Sequence, residues 1–142
     1  MTPELQTEID DLIAEFDLLD DWEQRYRYVI DLGKALPELE DFEKTDDNKV
    51  KGCVSQVWLI SEPHPDAPSR FQFRAQSDAH IVRGLAALLI RLYSGKDASE
   101  IEQIDARAVL SEIGLSEHLS PQRSNGLNSM ISRIKADTAN AS

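Results

Sequence analysis

The segment VSQVWLISEPHPDAPSRFQFRA, residues 54–75, decides the fold class of this chain. Residues 54–61 are rich in Val, Trp and Ile and contain no helix breaker, which is typical of a strand. Residues 69–75 alternate two phenylalanines with Arg and Gln, the period of a half-buried strand. The prolines of residues 62–68 predict a turn between the two. We therefore predict an antiparallel hairpin, with a weaker indication of a third strand just before Cys53.

On both sides of the hairpin, apolar residues return with the spacing of helices. Before it, one helix is predicted with Thr2 as its N-cap and a second is predicted to open near Asp21. After it, Ser77 or Asp78 is predicted to cap the most apolar helix of the chain. The caps predicted for the three helices that follow are Asp97, Asp105 and Ser120. This order predicts an α+β fold, in which a small antiparallel sheet of two or three strands packs against several helices.

Length and composition indicate a single globular domain, residues 1–142. The chain is 41% hydrophobic and 29% charged, which is ordinary for a folded protein and too apolar for a disordered one. No stretch approaches the roughly 18 uncharged apolar residues of a transmembrane helix. The N-terminal residues lack the basic and apolar regions of a signal peptide. We therefore expect no membrane association and a cytoplasmic location.

The net charge of −11 is unevenly distributed. Residues 1–47 hold 16 acidic and 4 basic side chains, whereas residues 48–142 hold 10 acidic and 11 basic ones. This balance excludes a general nucleic-acid-binding protein, which needs a positive surface. The acidic third is either a solvated helical surface that aids solubility or a face that steers a partner, and the sequence leaves both interpretations open.

Cys53 is the only cysteine and lies in KVKGCVSQVW, at a junction between loop and strand. A single cysteine excludes an internal disulfide, a four-cysteine metal site and an iron–sulfur cluster held within one chain. No metal or cofactor is therefore expected. Gly52 leaves space beside the sulfur, and Lys49 and Lys51 are near enough in sequence to favour the thiolate. Cys53 is either a reactive group presented at a loop end or a small buried hydrophobe.

Four other residues are notable for their places on the predicted helices. Asp78 lies near a helix start, as does Arg123, where the helix dipole disfavours a cation, so Arg123 indicates a contact with another group. Gly126 inside a helix costs about 1 kcal/mol relative to Ala, which indicates close packing or docking. His80 is the one candidate general base for a thiol enzyme built on Cys53.

Four stretches of the chain, in order, resemble the SufE family of cysteine desulfuration proteins, which includes the similar CsdE proteins. They are WEQRYRYVIDLGKALPEL (22–39), NKVKGCVSQVW (48–58), SDAHIVRGLAALLIRLYSG (77–95) and LSPQRSNGLNSMISRIKA (119–136). The second stretch carries the family's pattern of Asn, Gly-Cys, Ser and Val-Trp, and it matches the family cysteine to Cys53. The resemblance covers nearly the whole chain.

The resemblance implies a persulfide carrier with a fold like that of the IscU scaffold. A PLP-dependent cysteine desulfurase would load sulfane sulfur onto Cys53. The protein would stimulate that desulfurase and pass the sulfur to an iron–sulfur scaffold or another acceptor, acting as a partner rather than as an independent enzyme. A monomer or weak dimer is expected. The docking surface is expected to include Lys51, Gly52, Asp78, Arg123 and Gly126.

In the family, the loop keeps its cysteine turned inward and moves outward to reach the desulfurase, with Gly52 as the predicted hinge here. Trp58, Val54 and Val57 either line an apolar pocket that shields the persulfide or belong to the strand core. Two other hypotheses stay open. One is a thiol enzyme that uses Cys53 with His80, and the other is a non-catalytic interaction module whose cysteine is inert.

Overall fold

The computed structural model describes residues 3–53 and 55–141. Within these residues, the chain forms six α-helices and one antiparallel hairpin, which confirms the predicted α+β class. None of the described helices combines the length and the apolar character that crossing a membrane requires. The elements are α1 Pro3–Asp17, α2 Trp22–Lys34, β1 Val57–His64, β2 Ala67–Ser77, α3 His80–Tyr93, α4 Ala98–Gln103, α5 Ala106–Glu112 and α6 Pro121–Ala141, with short 3-10 helices at Asp41–Glu43 and Ser116–His118.

The hairpin is longer, and its turn shorter, than the sequence predicted. The strands pair from Val57 with Ser77 to His64 with Ala67, so only residues 65–66 form the turn that was expected over residues 62–68. Two of the three prolines lie inside the strands. A two-stranded sheet consists of edge strands, in which a residue without an N–H is tolerated. Val54, the predicted start of the first strand, lies outside the described residues.

In place of the third strand, the chain forms a short bridge between Lys49 and Trp58. The N–H of Val50 donates to the carbonyl oxygen of Val57 at 2.8 Å, and the N–H of Leu59 donates to that of Asn48 at 2.8 Å. These bonds are too few to make a strand. They nevertheless attach the segment that leads into Cys53 to the edge of β1.

The helix caps follow the sequence except at α3. The predicted caps of α2, α4, α5 and α6 accept backbone N–H bonds in the first turn, and they are Asp21, Asp97, Asp105 and Ser120. Thr2, the predicted cap of α1, lies outside the described residues. The prediction that Ser77 or Asp78 caps α3 is wrong, because the N-cap is Ala79 and makes no side-chain bond. Asp78 instead accepts a bond from the Cys53 loop, as described below.

Helix α3 forms the centre of the core and packs against α2, β2 and α6. Ten of its 14 residues are buried, as expected for the most apolar helix of the chain. Glycines let α2 approach closely: a Cβ at Gly84 would lie 2.3 Å from the carbonyl oxygen of Val29, and one at Gly33 would lie 2.6 Å from the Gly84 nitrogen. The Arg83 guanidinium fixes this crossing by donating to the carbonyls of Gly33 at 2.8 Å and Leu36 at 2.7 Å.

Candidate functional site

Cys53 lies half-buried between the Lys49 bridge and β1, in a segment that we call the Cys53 loop (residues 51–56). Its thiol donates a long bond of 3.6 Å to the carbonyl oxygen of Gly126 on α6. A Cβ at Gly126 would lie 3.5 Å from Sγ, which is an ordinary van der Waals contact. The thiol is thus turned inward against the helix backbone, and Gly126 is the residue that it faces.

A cavity of about 400 Å³ opens beside the thiol, between α3 and α6. Its lining includes Cys53 itself, Ser55 and Ala79. Its apolar lining comes from Val82, Leu85, Leu127 and Met130. Its polar lining comes from Ser120, Gln122 and Arg123 near the start of α6. This arrangement can hold a group attached to Cys53 away from water while leaving polar side chains around it.

Among the described strand residues that the sequence suggested for an apolar pocket, neither Val57 nor Trp58 lines the cavity. Val57 is fully buried in the core, and the Trp58 ring lies 5.9 Å from the Lys44 ammonium in a cation–π contact. Val54 lies outside the described residues. The α3 and α6 residues that do line the cavity have helical spacing, which predicted core positions. Nothing in that spacing distinguishes a residue beside a cavity from one packed against a neighbour.

Burial raises the pKa of the Cys53 thiol, because the apolar surroundings disfavour the thiolate. The shift is opposite in sign to the one expected from Lys49 and Lys51, so that expectation is wrong for this position of the loop. The side chain of Lys51 is exposed. In this inward position, Cys53 is held in its protonated, weakly nucleophilic form.

Gly52 meets two constraints that favour glycine. Its φ is +90°, in the left-handed region where a side chain is strained. A Cβ there would also lie 2.5 Å from Oγ of Ser129 on α6. The Cys53 loop therefore contacts α6 through two neighbouring residues, Gly52 against Ser129 and Cys53 against Gly126.

Asp78 fixes the far end of the Cys53 loop. Its carboxylate accepts a bond from the N–H of Gln56 at 3.1 Å, and its own N–H donates to the Gln56 carbonyl at 3.3 Å. This pairing extends the hairpin by one step beyond Val57 and Ser77. The side chain that was predicted to cap α3 thus belongs to the site, as the anchor of the loop where it joins β1.

The remaining predicted residues separate into two groups. Arg123 lines the cavity from the first turn of α6, half-exposed. His80 is exposed at the start of α3 and does not line the cavity, so the structure does not bring it to the thiol. In the described part of the chain, no group of three His, Cys, Asp or Glu side chains is placed to hold a metal ion.

Comparisons with known proteins identify the family. Residues 10–138 match the model of the SufE family, described as an Fe-S metabolism associated domain. An uncharacterised SufE-like protein of Rhizobium meliloti (strain 1021) is 54% identical over 132 residues, which cover 92% of this chain and 94% of that protein. A second one, of Rhizobium etli, is 55% identical over 130 residues, covering 91% of this chain and 88% of that protein.

A solved structure extends the likeness to the fold. The solution structure of a hypothetical protein from Thermus thermophilus superimposes with a TM-score of 0.75, covering 94% of this chain and 95% of that one. At 17% sequence identity, this likeness concerns the fold alone. The family match and the Rhizobium relatives carry the assignment further: this chain belongs to the SufE family, whose domain is associated with iron–sulfur metabolism.

Proposed function

We propose that this protein is a sulfur acceptor that works with a PLP-dependent cysteine desulfurase in the cytoplasm. Cys53 takes sulfane sulfur from the desulfurase, stimulates its turnover by doing so, and carries the sulfur as a persulfide to an iron–sulfur scaffold or another acceptor. The observation that carries this proposal is the placement of Cys53. It is a lone thiol on a loop, faces a largely apolar cavity, and is bonded to α6 by a long contact to Gly126.

This chemistry needs one nucleophilic sulfur and no base of its own. The Cys53 thiolate attacks the terminal sulfur of the persulfide on the desulfurase. A bond forms between Sγ and that sulfur while the S–S bond of the donor breaks, and the electron pair leaves on the donor cysteine as a thiolate. The sulfane sulfur keeps its oxidation state, so no external oxidant or reductant takes part. The Cys53 proton passes to water or to the departing thiolate.

In the proposed cycle the loop has two positions with different roles, and burial raises the pKa of Cys53 in the inward one. In the cavity, the thiol is protonated and protected. When the loop moves outward into water, the cause of the raised pKa is removed, and the thiolate fraction rises. After loading, a return to the cavity encloses the persulfide between Val82, Leu85 and Met130, away from other thiols.

The docking surface surrounds the Cys53 loop. Lys51 and Asp78 are exposed on either side of Cys53, and Arg123 stands half-exposed at the cavity. Gly52 supplies the hinge, and Gly126 is uncovered when Cys53 leaves its place. A desulfurase that reaches this surface meets a basic side chain on the loop, a carboxylate at its end and a guanidinium across the cavity.

The alternative of a thiol enzyme requires a base near the sulfur. His80 does not line the cavity, and the bond that Cys53 makes is to a backbone carbonyl. A base that activates a thiol lies within hydrogen-bond reach of the sulfur, and His80 makes no such bond here. We therefore prefer the carrier to the thiol enzyme.

The test is to incubate the protein with a PLP-dependent desulfurase and L-cysteine, and to measure its intact mass under non-reducing conditions. We expect a gain of one sulfur atom, and none in Cys53→Ser. The sulfur should be released by a reducing thiol. Absence of the adduct on the native chain, or its persistence in Cys53→Ser, would overturn the proposal.

A further inference from the structure

Arg133, on α6, makes an unusual set of bonds to the segment that precedes the Cys53 loop. Its Nη1 donates to the carbonyl oxygen of Lys49 at 3.2 Å, and its Nη2 donates to that of Asp47 at 2.5 Å. Its Nε donates to both carboxylate oxygens of Asp137, one turn further along the helix, at 3.1 Å. One guanidinium therefore ties the chain before Cys53 to the same helix that holds Cys53 and Gly52.

Asp137 links this guanidinium to the hairpin. Its carboxylate accepts a bond from Oγ of Ser61 on β1 at 2.8 Å, so it is shared between the strand and Arg133. The backbone bridge between Lys49 and Trp58 joins the other side of the segment to the same strand. The bonds close a ring that runs from β1 through α6 to the base of the Cys53 loop and back to β1.

Beyond that ring, the loop contacts α6 at Gly52 and Cys53. The cavity at Cys53 lies on one side, and a second, more open space of about 400 Å³ lies beside Val50 and Lys51. The bond from Cys53 to Gly126 is long, at 3.6 Å. A segment that has open space on both sides and lies between two bonded ends opens at a lower free-energy cost than the ends themselves.

We propose that Arg133 is a positioning residue for sulfur transfer, which holds the base of the Cys53 loop on α6 while the loop moves. This inference rests on the proposed function and adds a residue that makes no bond to the thiol and lines the open space beside Lys51. With the base fixed, the mobile span starts after Val50, and Cys53 reaches the same point on each excursion. Without the guanidinium, the backbone bridge to β1 still holds the base but its bonds to α6 are lost, so Cys53 spreads over more positions, fewer of which meet the donor sulfur.

The planar guanidinium suits this role. Its donors spread in one plane, which lets a single side chain satisfy two backbone carbonyls and a carboxylate together. A lysine ammonium at the same place is a point charge on a flexible stem and cannot hold the three groups in fixed geometry. Arg133→Lys therefore separates the charge at this position from the shape of the group.

The first experiment needs no partner protein. We compare Arg133→Met and Arg133→Lys with Lys135→Met, a matched control that removes a half-exposed cation from the same helix. Alkylation of Cys53 by iodoacetamide should become about two- to tenfold faster in Arg133→Met, the factor that corresponds to one ordinary hydrogen bond. Hydrogen exchange at residues 48–50 should accelerate with it. In Lys135→Met, the alkylation and exchange rates should match those of the native protein. In Arg133→Lys, both rates should be raised, as in Arg133→Met.

The second experiment separates positioning from folding. With a desulfurase and L-cysteine, Arg133→Met should lower the maximal rate of sulfur transfer while leaving the half-saturating concentration of the carrier within about twofold, because the docking side chains are unchanged. The opposite signs of the two effects, faster alkylation and slower transfer, are the expected signature. If Arg133→Met folds poorly, Asp137→Asn is used instead, which keeps the shape of the network and should shift both rates in the same directions.

The outcomes distinguish this inference from the proposed function. Native alkylation and exchange rates in Arg133→Met would overturn the positioning role, whatever the desulfurase assay gives. A rise in half-saturating concentration with an unchanged maximal rate would also overturn it, because it would make Arg133 a docking residue. A native chain that acquires no sulfur would overturn the proposed function, while the alkylation test would still decide whether Arg133 holds the loop.

Discussion

The Sγ of Cys53 lies 3.6 Å from the carbonyl oxygen of Gly126, a glycine that lies inside α6 and weakens that helix. The two residues are 73 positions apart in the chain. The contact uses the backbone of Gly126, so it does not depend on the rotamer of a side chain on α6. This relationship defines the inward position of the loop.

Substitution of Gly126 should control that position. In Gly126→Ala the added Cβ lies in ordinary contact with Sγ at 3.5 Å, so we expect native alkylation of Cys53 and a helix more stable by up to about 1 kcal/mol. In Gly126→Val the branched atoms extend beyond that contact and should displace the thiol, which makes alkylation several-fold faster. Iodoacetamide kinetics and thermal melting measure the two effects. Slow alkylation in Gly126→Val would contradict this account of the site.

Gly52 should tolerate no side chain while Ser129 faces it. Gly52→Ala combines a left-handed backbone with a Cβ 2.5 Å from Ser129 Oγ, and the backbone term alone costs about 1–2 kcal/mol. Replacing Ser129 by Ala removes Oγ and leaves its Cβ 3.5 Å away. The double variant should therefore recover part of the stability lost in Gly52→Ala. Urea unfolding of the two single variants and the double variant tests this, and simple additivity would show that the close contact does not matter.

The pH dependence of Cys53 should reflect its burial. Because burial raises the thiol pKa, the alkylation rate should rise with pH around a midpoint above that of a free cysteine. Gly126→Val, which displaces the thiol toward water, should move the midpoint downward. For the same reason, any stability that the inward thiol contributes is fully present at pH values below the pKa of Cys53 in the unfolded chain. It is lost as the pH rises through the higher pKa of Cys53 in the folded protein. A midpoint at or below that of a free thiol would contradict the protected state.

Acid should weaken the attachment of the segment before the Cys53 loop. Glu43 pairs with Arg74 on β2, whose guanidinium lowers the pKa of that carboxyl from 4.5 to about 2. Because the pKa of Glu43 is lower in the folded protein than in the unfolded chain, the stability that this pair contributes is present above pH 4.5. It is lost as the pH falls from about 4.5 through about 2. Glu43→Gln should flatten this acid limb of stability in urea unfolding. Asp41→Asn is the matched control, since Asp41 is fully exposed beside Lys44.

Charge reversal should test the docking surface. Arg123→Glu removes a cation from the cavity and Asp78→Arg removes a carboxylate from the end of the loop, so both should change desulfurase stimulation several-fold. Asp78→Asn keeps an acceptor for the Gln56 N–H and separates loop anchoring from charge. Unchanged stimulation in both reversals would count against the proposed surface. Lys135→Met again serves as a control for charge on α6.

Local rules predicted much of the fold. The caps at Asp21, Asp97 and Asp105 depend on a side chain and a backbone N–H three residues away, and such contacts need no information from the rest of the chain. The alternation around Phe73 likewise depends only on which residues of one strand face the core, so it is a local pattern. The limits of the hairpin were less well predicted, since prolines that end a central strand are tolerated in a sheet that has only edges.

The sequence by itself determined the class of fold, the family and the single sulfur at Cys53, because these depend on periodicity, on short motifs and on composition. Tertiary structure alone decided what surrounds that sulfur: the apolar cavity, the contact with Gly126, the anchoring of the loop by Asp78 and the ring through Arg133. Each of these joins residues far apart in the chain. Whether these surroundings lower or raise the pKa of the thiol depends on how far the folded protein excludes water from it. The spacing of residues along the chain does not predict that exclusion.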